Sequence, residues 1–127
     1  MSFDWNDFLT LAHDLAAKID DASQRSAISR AYYCVFNLAS ARAESKVGPR
    51  PRGVPTHQWC WEQYLSTPDL TCRQLGVAGD RMKRMRVMAD YKAAEIPRLQ
   101  TEVQRMLQDA HQLLTALAAL DPQYPRP

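Results

Sequence analysis

The stretch 97–120 constrains this chain most. Leu99, Val103, Met106, Leu107, Ala110, Leu113, Leu114, Leu117 and Leu120 recur at helical spacing. That spacing lines one side of an α-helix and calls for a partner surface to cover it. Asp121-Pro122 stops the pattern, because proline has no amide hydrogen to donate. No segment of useful length alternates apolar and polar residues with period two, so no strand is predicted. A chain built this way buries its apolar faces helix against helix.

The remaining segments agree. Trp5, Phe8, Ala12, Leu15, Ala16 and Ile19 predict an amphipathic helix over 3–19. Asp21 or Ser23 is suited to cap a second helix running to about Lys46, with Ile28, Tyr32, Val35, Phe36 and Ala39 on its core face. Residues 47–56 hold three prolines and two glycines and read as a loop. Thr56 can cap a short third helix over 57–65. Asp69–Leu75 reads as one further turn before Gly76 and Gly79. A fourth helix is expected over 79–94. Pro97 would either kink it or open the last helix at its first position. The predicted fold is all-α, an up-and-down bundle of four long helices plus one short helix. It is read as one domain over 1–121, with an extended Pro-rich tail over 122–127.

Charge and cysteine content narrow the function classes. With 127 residues, 46% hydrophobic and 24% charged, the chain has the composition of one soluble domain. The net charge of +2 argues neither for nor against nucleic acid. Its distribution says more, because Arg73–Arg86 carries five bases and one acid, Asp80. Arg42–Arg52 carries four bases and one acid, Glu44. Such zones suit a phosphate-binding face or, more plainly, solvated helix faces. Three scattered cysteines, Cys34, Cys60 and Cys72, form no disulfide framework. No leader segment and no membrane-spanning run is read in the sequence, so a cytoplasmic location is expected.

Two motifs hold the chemistry. Ser29–Phe36 reads SRAYYCVF, within a stripe of Ser26, Arg30, Tyr33 and Asn37 along one side of the second helix. Arg84–Tyr91 reads RMRVMADY, on the helix that also carries Arg81 and Lys83. Arg86 and Asp90 stand four residues apart, within reach of an ion pair. An arginine oriented by a carboxylate can hold a phosphate, and a tyrosine can stack or donate a hydrogen bond. The stripe reads equally as a buried polar network tying two helices together. No metal site is expected, because His57-x-x-Cys60 has no second ligand pair. His13 and His111 read as surface or packing residues. No glycine-rich phosphate loop, nucleophile elbow or zincin motif occurs, and no cofactor is implied. Trp59, Trp61, Tyr64, Met82, Met85 and Met88 exceed what one small bundle is expected to cover, which points to a homodimer.

SAISRAYYCVF and RMRVMADY together resemble the second- and fourth-helix signatures of HEPN domains, small helical proteins of the stand-alone bacterial type. The helix order, the Pro-rich loop and the position of His57 are similar too, over roughly Trp5 to Leu120. The resemblance implies a dimerising bundle from a toxin–antitoxin or phage-defence module. It implies a nucleotidyltransferase-like antitoxin or another defence protein as partner, and RNA as target. The family's nuclease motif is an arginine followed by a histidine. Carried over, the arginine is Arg86 or, second, Arg84, and Tyr91 stands where the histidine belongs. Tyrosine, with a reference pKa of about 10, is a poor general base at neutral pH. Two expectations follow. One is a binding module degenerate as a nuclease, using Arg86, Asp90 and Tyr91 with Arg30, Tyr33, Asn37, Arg81 and Arg84. The other is an active metal-independent endoribonuclease built on the same residues.

Overall fold

The computed structural model describes residues 2–126 and is all-helical among them. In chain order the helices are α1 (Asn6–Ala16), α2 (Asp21–Val47), α3 (Thr56–Leu65), α4 (Leu70–Tyr91) and α5 (Leu99–Ala119). α2 is the hub and packs against all four others. Its Ala27, Ala31, Ala39 and Ala43 are completely buried, and side chains that small let neighbouring helices come close. Ile28, Tyr32, Val35 and Phe36 fill the space between them. α5 closes one side with Val103, Met106, Leu107, Ala110, Leu113 and Leu117, the predicted stripe.

The element boundaries depart from the sequence reading in informative ways. α1 is shorter than 3–19. Asp4 Oδ1 accepts the Asn6 amide at 2.9 Å and starts the helix there. Ile19, placed on the core face by periodicity, lies past the helix end and is 86% exposed. Asp20, rather than Asp21 or Ser23, caps α2 by accepting the Ser23 amide at 3.0 Å.

The largest correction concerns α4. It does not begin near Gly79. It starts at Leu70, capped by Asp69 through the Cys72 amide at 2.9 Å, and runs straight through Gly76 and Gly79. Each glycine costs about 1 kcal/mol of helix propensity relative to alanine. Packing explains their presence. A Cβ on Gly79 would land inside the Trp61 indole, and one on Gly76 would meet Leu65. The glycines therefore let α3 lie directly on α4.

Two arginines of α2 fasten helix C-termini. Arg25 donates to the carbonyls of Ala89 (3.2 Å), Lys92 (2.6 Å) and Ala94 (2.8 Å), which ends α4 at Tyr91 rather than at 94. Arg42 donates to the carbonyls of Leu117, Leu120, Asp121 and Tyr124 at 2.9–3.2 Å. A guanidinium suits the negative end of a helix, where carbonyls lack intrahelical partners. Pro97 neither kinks α4 nor opens α5. Arg98 takes a left-handed conformation (φ 55°) just before α5 starts. The tail is not a free extension, because Pro125 is buried and Arg42 holds the Tyr124 carbonyl.

One chain also covers most of the residues that suggested a dimer. Trp59, Trp61, Tyr64 and Met82 are buried in the single bundle. Tyr64 donates its hydroxyl to the Ala39 carbonyl at 2.7 Å. Met88 alone of that set is exposed, while Met85 is half-buried. No helix is long and apolar enough to cross a membrane among the described residues.

Candidate functional site

α1, α2 and α4 meet around an open cleft of about 660 Å³. Trp5, just before α1, and Phe8 of α1 form one wall. Ser29, Arg30, Tyr33 and Asn37 of α2 form the floor, and Asp90 and Tyr91 of α4 form the other wall. The two motifs, offset by 55 residues in sequence, thus become one surface because α2 and α4 pack together.

Arg86 lies beneath this surface. It is 5% exposed, with its Cζ 5.4 Å from the Tyr32 ring centroid, 5.2 Å from Tyr33 and 5.5 Å from Tyr91. Three aromatic faces hold the cation by cation–π attraction. Its Nη1 is 3.7 Å from Asp90 Oδ2, close enough for ionic attraction and too long for a hydrogen bond. Its Nε is buried and has no hydrogen-bond partner. A buried guanidinium N–H left unpaired costs about 1–3 kcal/mol, so this side chain is arranged at the expense of stability.

Asp90 is fixed from the other side. Its Oδ2 accepts the Ser29 hydroxyl at 3.0 Å, and Arg30 Nη2 reaches the same hydroxyl oxygen at 3.5 Å. Arg30 also lies over Phe8 (4.7 Å) and Tyr33 (5.4 Å). The Asn37 amide donates to the Tyr33 carbonyl at 2.8 Å. The result is two arginines and several aromatic faces around one carboxylate, a set that can pair an anion and stack a planar group.

Tyr32, one of the rings against Arg86, continues into a chain of hydrogen bonds. Trp61 Nε1 donates to the Tyr32 hydroxyl at 3.1 Å, and that hydroxyl is 2.7 Å from His57 Nδ1. The Tyr32 hydroxyl thus joins the Trp61 indole to the His57 ring, and the His57 tautomer sets which of the two partners of the second contact donates. The ring stacks on Phe36 at 4.1 Å. Burial first, then the charges of Arg86 and Lys83, push the His57 pKa down to about 4. Burial likewise pushes the Tyr32 hydroxyl well up.

The predicted site residues divide into two groups. Arg30, Tyr33, Asn37, Asp90 and Tyr91 share the cleft, with Arg86 under them. Arg81 and Arg84 do not join it. They line a methionine-rich groove between α4 and α5, with Met82, Met85, Met88 and Met106. The basic zone is also largely neutralised. Arg81 pairs Asp109 at 3.2 Å, and Asp80 takes both Arg84 (3.0 Å) and Lys83 (3.6 Å). Ser26 of the α2 stripe is exposed and lies outside the cleft lining. Sequence reading missed Ser29 as the anchor of Asp90, and Trp5 and Phe8 as a wall. The aromatic pair preceding and opening α1 was the available signal. The His57–Tyr32 contact had none, since nothing local links residues 25 apart.

His57 and Cys60, the one pair with ligand spacing in the sequence, are each engaged in the interior. His57 Nδ1 is occupied by Tyr32, and burial pushes the Cys60 thiol up to about 12. Groups of three or more metal-ligating side chains are absent among the described residues. No protein-family model, curated protein or solved structure matches this chain.

Proposed function

We propose that the protein is a HEPN-like binding module of a bacterial toxin–antitoxin or phage-defence system. It holds RNA or a nucleotide at the α1–α2–α4 cleft and has lost nuclease activity. The observation that supports this reading is Arg86, a buried guanidinium with an unpaired Nε, flanked by three tyrosine rings and an anchored carboxylate. An anion arriving from the cleft would give that cation the hydrogen bonds it lacks. Arg30 would engage the same anion, and Tyr33, Phe8 or Trp5 would stack a base.

Loss of catalysis follows from the cleft lining. Proton transfer from a ribose 2′-hydroxyl needs a group titrating near neutrality. The cleft offers Tyr91 and the carboxylate of Asp90 in that position, and no histidine lines it. His57 is outside the cleft lining, with its Nδ1 in contact with the Tyr32 hydroxyl.

The protein acts in the cytoplasm as a homodimer in this reading, beside a nucleotidyltransferase-like or other defence partner. The exposed Leu70 and Val77, two turns apart on α4, with Leu65 of α3, supply an apolar contact for a second copy.

Fluorescence anisotropy with labelled single-stranded RNA tests the site. Wild type is expected to bind, and Arg86→Met to lose at least tenfold in affinity. Equal binding by both would remove the cleft from the proposal. Incubation of the same RNA with and without chelator tests the alternative, an active endoribonuclease. Metal-independent cleavage abolished in both Arg86→Met and Tyr91→Phe would establish the enzyme instead.

A further inference from the structure

We propose that His13 of α1 and His111 of α5 form a bis-imidazole site for a borderline divalent transition-metal ion such as Zn²⁺, where α1 packs against α5. Their Nε2 atoms are 2.8 Å apart across 98 residues of sequence, and both side chains are exposed. The ring centroids are 5.1 Å apart and the planes inclined at 46°, so the nitrogens converge while the rings do not stack flat. A nitrogen–nitrogen hydrogen bond requires one ring to donate and the other to accept, so the two rings share one hydrogen.

That geometry is close to what a metal needs. Imidazole nitrogens bind Zn²⁺ at about 2.0–2.1 Å, and two of them at tetrahedral positions are about 3.3 Å apart. Opening the pair by about half an ångström through side-chain rotation meets that spacing. On binding, both Nε2 atoms present lone pairs and each ring keeps its hydrogen on Nδ1. The shared hydrogen therefore moves within its own ring, through solvent, and no net proton is lost. Gln108, one turn before His111 on α5, lines the same depression of about 530 Å³ and offers a carboxamide oxygen. Waters complete the shell. Arg105 also lines the depression, with Glu102 4.0 Å away to offset its charge.

Two ligands from two helices do more than hold an ion. α1 and its N-cap contribute Phe8 and Trp5 to the cleft wall, and α1 is one of the two shortest helices. A metal bridge from α1 to α5 would fasten that wall. Stabilisation by a bound ion follows its concentration relative to its dissociation constant.

The test uses the full chain after treatment with chelator. Titration with ZnCl₂ by calorimetry at pH 7.5 is expected to give one site per chain with micromolar affinity. The thermal midpoint is expected to rise by about 3 °C or more at saturating metal. His13→Gln and His111→Gln should each weaken binding at least tenfold and remove the midpoint shift. Both positions are exposed, and circular dichroism will show that both variants fold. His57→Gln should leave the stoichiometry and the shift intact. Absence of binding at 100-fold excess metal over protein, or binding that survives either His13→Gln or His111→Gln, would overturn the site.

Discussion

Arg86 sets the balance between stability and function at the level of one side chain. Its charge is held by aromatic faces and a 3.7 Å ionic contact, while Nε stays unpaired in the interior. Methionine has nearly the same length and no donor to satisfy. Arg86→Met is therefore expected to keep the fold within about 1 kcal/mol of wild type, or to stabilise it, in urea unfolding. Loss of several kcal/mol would show that the cation is a structural pin. His57 gives a pH dependence with a definite sign. Its pKa is about 4 in the folded chain and near 6.5 unfolded. The unfolded state binds the extra proton first, so the neutral ring contributes stability above about pH 6.5. That contribution is lost as pH falls towards 4. Thermal midpoints should decline across this window, and His57→Phe should flatten the decline.

At the scale of the element, packing overrides intrinsic propensity. Gly79 sits in the middle of a helix of 22 residues, where alanine would be favoured by about 1 kcal/mol. The Trp61 indole occupies the space a Cβ would need. Overpacking costs about 1–3 kcal/mol. Gly79→Ala should therefore bring no gain and destabilise the protein by up to about 2 kcal/mol net, against the helix-propensity trend. An increase in the urea midpoint would mean that α3 yields to the added methyl group. The arginine caps make a parallel case. Arg42→Ala leaves four carbonyls at the end of α5 without their donor. A loss of about 1–3 kcal/mol is expected, with faster amide exchange at the C-terminal turn of α5 and in the tail.

For the whole molecule, the arrangement of charge limits how nucleic acid can be held. The Arg73–Arg86 zone reads as a basic face in sequence, yet Arg81, Lys83 and Arg84 are paired with Asp109 and Asp80. The cleft is lined by one arginine, Arg30, with Arg86 buried beneath it. Neutralising two phosphates of a single strand gives a slope of log affinity against log salt of about −1.4. Binding should follow that shallow slope, and Arg84→Ala should change affinity less than twofold. A slope near −4, or a large loss in Arg84→Ala, would move the interface onto the outer face of α4.

Helical class and the α5 stripe were legible from the sequence, because side-chain period alone fixes which residues share a helix face. The pairing of Arg86 with Asp90 was legible for the same reason, since a separation of four residues is one helical turn. Local pattern could not show that α4 continues through two glycines, because the reason lies on α3 in the Trp61 ring. Two residues along a helix rotate a side chain by more than half a turn, which sets Arg84 apart from Arg86, but local pattern could not show which of the two the packing would bury. Nor could it bring His57 to Tyr32 or His13 to His111. Those meetings depend on how α3 and α5 dock on α2 and α1, and that docking is decided by the summed packing of the core, which no single segment encodes.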